Sequence, residues 1–276
     1  MSFEKKSMVQ YNPLQYLPTD EDLPETDNIP VDNELQILIP SLLRAVLVLL
    51  WADRTDWFFG VNLGLYYDPR SQTGIGPDAF LSLGVDRFKP NGRLRLSYLV
   101  WQEKYVMPQW VLEVISKSPG SEYDLKLAKY AELGVLYYTI YNPDYRSRDN
   151  HSPFEVYRLV DGVYVPQPGE IVWMPELGIG IGHEQDAFEG YNRDWLFWYD
   201  QEGNRYPTPE DVIKLQRQQA ALERQQAWRE REQTLREAEQ ALLGREQAEQ
   251  QLEQERQLRE NLLRKLREQG IDPDAL

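Results

Sequence analysis

Apolar and polar positions alternate in several short blocks of this chain, and one block carries a charge where the alternation calls for a hydrophobe. Residues 109–130, QWVLEVISKSPGSEYDLKLAKY, read as a buried strand, a turn and a helix. In the strand, Glu113 shares a face with Val111 and Ile115, while Leu112 and Val114 point the other way. A carboxylate in such a run needs an ion pair, hydrogen bonds or a cation, because a bare buried charge is costly. A salt-bridged acid at a strand end satisfies that need as well as a metal ligand does. In the helix, Lys126 and Tyr130 are four apart and share a face. Ser121, with Asp124 three residues on, approximates a capping box, so the helix is expected to begin near Ser121.

The same reading extends along the chain. Asn33 can cap a helix from Glu34 to Trp51, whose apolar residues cover more than one face and predict near-complete burial. Pro40 and Arg44 interrupt that run, and it is short for a bilayer, so a core helix is expected rather than a membrane span. WFFGVNLGLYYD, residues 57–68, carries Gly60 and Gly64 and reads as a bent or bulged strand. After the turn PRSQTGIG, Pro77-Asp78 opens a strand AFLSLGV, with Asp78 on the face of Phe80 and Ser82. VLYYTIY, residues 135–141, is a strand closed by Asn142-Pro143. Phe154 to Val165 form a hairpin turning at Asp161-Gly162. GIGIG at 178–182 and WLFWYD at 195–200 read as peripheral strands, the second ending in a turn at Glu202-Gly203-Asn204. This order predicts an α/β (α+β) domain with a mixed central sheet flanked by helices.

Both ends of the chain differ from this middle. Residues 1–32 hold four prolines and the acids Asp20, Glu21, Asp22, Glu25 and Asp27, which suit an extended arm. The domain is expected over 33–206, followed by a long polar helix and a short tail over 207–276. Leu215 and Leu222 lie seven apart, and Trp228, Leu235 and Leu242 repeat the spacing. A coiled-coil seam needs two apolar positions per heptad where mostly one is present, and Gly244 weakens the middle. The pattern therefore suits either a weak homodimer through this helix or a lone charged helix.

Composition narrows the chemistry. With no cysteine, disulfides and thiolate zinc sites are excluded, and two histidines, His151 and His183, make a poor basis for a zinc enzyme or a serine triad. Metal chemistry would fall to carboxylates, which favour magnesium or manganese. The formal charge of −15 counts against generic nucleic-acid binding. Residues 1–206 hold 18 Lys+Arg against 30 Asp+Glu, and residues 207–276 hold 12 against 15. Against that background Arg87, Lys89, Arg93, Arg95 and Lys104 face one acid, Glu103, in the segment joining the two acid-bearing strands. That segment is either an ordinary solvated loop or a set of phosphate contacts flanking the site. No recognition helix, finger or ribbon motif is present to read bases. The start MSFEKKSMVQYNP has no apolar core, so no signal peptide and a cytoplasmic protein are expected.

If the strands of Asp78 and Glu113 are neighbours, their carboxylates can converge on one cation, and a helical lysine packed beside the sheet could reach them. Two acids and a lysine are what metal-dependent phosphodiester cleavage uses. Taken singly, each residue has a plainer role: Asp78 as a strand-start acid, Lys126 as a solvated lysine, Tyr130 as core. Taken together, Asp78 in PDAFLSLG, Glu113 in VLEVIS, and Lys126 and Tyr130 in KLAKYAELGVLYYTIYNP resemble the Uma-type restriction endonuclease family of the PD-(D/E)XK nuclease superfamily. The likeness begins near Leu17 and runs through the core to the Gln/Glu/Arg helix and the closing GIDPDAL.

The resemblance implies a restriction-endonuclease-like core with Asp78 and Glu113 as magnesium ligands. The superfamily's lysine stands two residues after the acid, where this chain has Ile115. The family's lysine then comes from the following helix, with Lys126 the candidate, Lys129 the substitute and Glu34 an additional acid. The function expected is magnesium- or manganese-dependent hydrolysis of DNA. The rival is an inactive nuclease fold that acts as an interaction protein through its terminal helix. A third reading is an enzyme of RNA or nucleotides, since the same acid pair serves several phosphodiesters.

Overall fold

The computed structural model describes residues 17–19, 21–23, 33–71, 73–90, 92–116, 121–145 and 150–268. Most of the expected N-terminal arm, the turn after the Glu113 strand at 117–120 and the closing GIDPDAL lie outside the described residues. The chain divides into two units, Met1–Glu210 and Asp211–Leu276.

The first unit is a mixed α/β fold. Helix α1 (Leu35–Leu50) is followed by β1 (Trp57–Val61), β2 (Leu65–Tyr66), β3 (Ala79–Leu83), β4 (Tyr98–Leu99) and β5 (Trp110–Val114). Helix α2 (Leu125–Glu132) precedes β6 (Tyr137–Tyr141), β7 (Phe154–Val160), β8 (Val163–Gln167), β9 (Ile171–Met174), β10 (Ile179–Phe188) and β11 (Tyr191–Tyr199). The central sheet has the order β1-β3-β5-β6-β7-β8. Its β5–β6 pair is parallel and its other pairs antiparallel. A parallel pair needs a crossover, and α2 supplies it. This places α2 beside the strand that carries Glu113.

Period-2 alternation divides the core. Trp110, Leu112 and Val114 pack with Ala79 and Leu81 against α1 and the β9–β11 meander. Val111, Ile115, Phe80, Tyr138 and Ile140 pack on the opposite face with Tyr130 of α2. Gly60 pairs with Phe80, and a Cβ on Gly60 would lie 2.3 Å from the Phe80 ring, so a glycine is required there. The β7–β8 hairpin turns as expected at Asp161 (φ 51°) and Gly162 (φ 81°), both in the left-handed region that a type I′ turn demands.

Helix α1 runs through Pro40. A proline cannot donate to the carbonyl four residues earlier, which leaves the Gln36 C=O without its helical partner. The Asn62 side chain donates to that oxygen at 3.2 Å, and the Asn62 backbone N–H donates to the Asp78 C=O at 3.0 Å. The break in the helix thereby pins its first turn to the start of β3. Asn33 caps the helix as expected, accepting from the Leu35 N–H at 2.9 Å.

Four expectations need correction. Helix α1 buries one face only, and Ile37, Val48 and Leu49 stay exposed on the other. Helix α2 starts at Leu125 with Asp124 as its cap, because Asp124 accepts from the Leu125 N–H while residues 121–124 form a turn. The segment joining the two acid-bearing strands is not all loop, since it contains β4, which pairs in parallel with β2. The strands near 178–200 are long and buried rather than peripheral: β9, β10 and β11 form their own sheet, and Trp198 Nε1 donates to the Leu43 C=O of α1 at 2.9 Å.

The described residues of the second unit form one helix. α3 (Pro209–Glu268) has 60 residues, about 90 Å at 1.5 Å each. No helix among the described residues is long and apolar enough to cross a membrane.

Candidate active site

Strand pairing brings Asp78 and Glu113 together. In the antiparallel β3–β5 ladder Phe80 pairs with Val111 and Ala79 with Leu112, so the next step sets Asp78 opposite Glu113 on the same face. Asp78 Oδ2 accepts the Val114 backbone N–H at 2.7 Å, just past the end of the ladder. Gln36 of α1 donates through Nε2 to the Val114 C=O at 3.2 Å. The pinned first turn of α1 thus braces the end of β5.

Helix α2 completes the cluster. Lys126 Nζ donates to Glu113 Oε2 at 2.8 Å, and the Tyr130 hydroxyl donates to Oε1 at 2.8 Å. Their i, i+4 spacing lets each side chain satisfy one oxygen of the same carboxylate. Glu113 is only 2% exposed, whereas Lys126 keeps 31% of its side chain exposed. Glu122, four residues before Lys126, lies 3.6 Å from Nζ. Lys129 instead pairs with Glu132 at 3.0 Å and sits 4.6 Å over the Tyr67 ring.

Burial, and then the Glu113 charge, push the Asp78 carboxyl well above the usual carboxylate range. Burial also raises Glu113, against the pull of Lys126. Burial alone would lower Lys126, yet Glu113, Glu122 and Asp78 hold the ammonium above the usual lysine range. Burial keeps the Tyr130 hydroxyl protonated as a donor. Of the two acids Asp78 is raised the further, because Lys126 and Tyr130 bond to Glu113. If all ionise, three carboxylates around one ammonium leave a local charge of −2. That surplus suits a divalent cation. Among the described residues no three acidic or imidazole side chains are grouped to hold a metal ion. Asp78 and Glu113 are the two carboxylates that the β3–β5 register sets opposite each other. Two carboxylates fit magnesium, which commonly completes its shell with water and phosphate oxygens.

The family described as "Putative restriction endonuclease", Uma2, matches residues 29–187. The chain belongs to the Uma2 family. The match runs from just before α1 into β10 and includes Asp78, Glu113, Lys126 and Tyr130. A solved structure from Anabaena variabilis ATCC 29413, described as "a putative nuclease belonging to DUF820", is similar at 16% identity, with a TM-score of 0.40, covering 58% of this chain and 90% of that one. No curated protein matches the chain.

The other residues singled out in this Uma2 chain make contacts of their own. Glu34 is exposed before α1 and lines a cavity of about 200 Å³ with Asp144, Tyr191, Arg193 and Trp195. Arg87 does not flank the acids. Arg87 donates its backbone N–H to the Thr55 C=O and stacks over Trp57, which pairs with Leu83. It therefore sits at the other end of β3 from Asp78, roughly 17 Å away at about 3.3 Å per residue. Arg95 is only 4% exposed and forks onto Glu103 at 2.7 and 2.9 Å, so it is a structural cation and not a phosphate contact. Arg93 pairs with Glu21 at 2.6 Å. Lys89 lines a groove with Arg93, Arg95 and Glu103.

The sequence reading missed Gln36 and Glu122. Glu122 had a signal, its four-residue spacing from Lys126. Gln36 had none, because its role follows from the fold.

Proposed function

We propose that this chain hydrolyses DNA phosphodiester bonds with the help of magnesium or manganese held by Asp78 and Glu113. The observation that carries this reading is the Glu113 carboxylate, buried opposite Asp78 and clasped by Lys126 and Tyr130. When bound, the cation would supply positive charge at the phosphate and a more acidic water.

The chain's own residues have separable tasks. Tyr130 and Lys126 fix the rotamer of Glu113, so that its oxygens are aimed before any cation arrives. The Glu113, Glu122 and Asp78 charges favour the ammonium form of Lys126, which supports a role other than that of the base. Its part is electrostatic: a partly exposed ammonium can orient the attacking water and stabilise charge building on the phosphate oxygens. The buried apolar wall of Phe80, Val111 and Ile115 keeps the carboxylates out of bulk solvent and strengthens both effects. A lysine meeting Glu113 from α2 replaces the one missing at Ile115, and this supports the catalytic reading over an inactive scaffold.

The test is nicking of supercoiled plasmid by the full-length protein with magnesium or manganese, alongside Asp78→Ala and Glu113→Ala. Activity is expected only in the parent protein and only with the cation. Equal cleavage by all three proteins would reject the assignment of these acids. Offering single-stranded RNA to the same preparation distinguishes DNA from the other phosphodiester substrates.

A further inference from the structure

Helix α3 carries a stripe that a solvated helix does not need. Trp228, Leu235 and Leu242 recur every seventh residue, and Leu252 follows at a heptad d position when these three are a. All four are 57% to 66% exposed. Charge is not mixed evenly around them. Residues 214–236 hold six Lys/Arg against three Glu, a net of +3. Residues 237–255 hold one Arg against six Glu, a net of −5, and residues 256–267 hold five Lys/Arg against one Glu, a net of +4.

We propose that α3 pairs with the α3 of a second copy of this chain, running antiparallel and centred near residues 236–237. A parallel, in-register pair would set each charged block against its own copy, −5 on −5 in the middle. Like charges along a coiled coil are a strong determinant against a given orientation. Turning one helix around the proposed centre lays the basic block 214–236 along residues 237–259, which contain the whole acidic block.

The same centre keeps the a and d positions in facing layers. Leu235 meets Ala238, Ala221 meets Leu252, Arg224 meets Glu249, and Arg245 comes over the face of Trp228 as a cation–π pair. The layers with arginine make the seam weaker than an all-leucine one, so association in the micromolar range is expected. The points where the two chains enter the helix pair, at residue 209, would lie about 80 Å apart, 55 residues at 1.5 Å each. A parallel pair would bring them side by side.

The chain has no cysteine, so introduced thiols report the pairing without background. Full-length Arg224→Cys and Glu249→Cys proteins, carrying tags of different mass, are mixed, equilibrated and oxidised. The 224–249 mixed species should exceed either self-linked species by about tenfold or more, since the two positions are roughly 37 Å apart along a parallel pair. Predominant self-linking would overturn the orientation. Sedimentation of the parent protein as a monomer at roughly 50 µM would overturn the interface itself. Leu235→Glu should weaken the dimer at least about tenfold, and an unchanged dimer would also count against the seam. None of these measurements reads cleavage, so their outcome is independent of the catalytic reading.

Discussion

Two buried ion pairs in this protein have the same chemistry on paper and opposite characters. Arg95 and Glu103 are 4% and 7% exposed, and Arg95 also donates to the C=O of Asp86 and of Arg87. Their charges cancel, and the planar guanidinium is bound by both carboxylate oxygens. Lys126 and Glu113 are 31% and 2% exposed, with a second acid opposite and a third beside the ammonium. That pair is sealed on one side only and carries surplus negative charge. A balanced, enclosed pair holds a loop in place. An unbalanced pair at the rim of the sheet can exchange partners, which a site for a cation and a phosphate requires.

Substitutions should separate the two. The largest effect is expected for Glu113→Gln, which keeps the shape and loses the charge. Plasmid nicking should fall on the order of 10³-fold, about 4 kcal/mol of transition-state stabilisation, with the fold retained by circular dichroism. A variant that nicks at the parent rate would remove the contrast between the pairs. Next, Arg95→Ala leaves Glu103 buried without its partner. It should lower unfolding stability by about 3–5 kcal/mol in urea titrations, while cleavage per folded molecule is unchanged. Loss of cleavage at full stability would instead make Arg95 a substrate contact.

Lys126→Met should be intermediate, with nicking reduced about 10²-fold and no recovery on raising the pH, because the lysine acts through its charge. Recovery at high pH would point to a base.

The subtlest effect concerns Asp78. Its folded-state carboxyl titrates above the ordinary value of 3.8 because of burial and the neighbouring Glu113 charge. The stability it contributes is therefore complete below pH 4 and is lost progressively as pH rises through the raised value. In chelator, Asp78→Asn should unfold at a higher temperature than the parent at pH 8, and the two should converge near pH 3.5. A variant less stable than the parent at pH 8 would show that the two carboxylates do not repel.

Periodicity made part of this site legible. Alternation set Glu113 on the face of Val111 and Ile115, and four-residue spacing set Lys126 and Tyr130 on one side of a helix. Both survive because they depend on backbone geometry alone. The same reading misplaced the start of α2, since Ser121 and Asp124 are both competent caps and only the path of residues 121–124 decides between them. It also left Arg95 among the phosphate contacts, because a basic side chain looks the same in sequence whether it faces water or folds inward onto Glu103.

The order of residues by itself determined which side chains share a strand face or a helix face, where Asn33 and the Asp161-Gly162 turn act, and that carboxylates would have to bear any metal chemistry. Tertiary structure alone decided that β3 lies beside β5 in the register that opposes Asp78 to Glu113, that Lys126 and not Lys129 reaches them, and that Asn62 takes up the carbonyl released by Pro40. The division has a physical cause. Local periodicity follows from the 2.0 and 3.6 residue repeats of the backbone. Partners distant in sequence meet only through the cooperative burial that selects one strand order and one register among many.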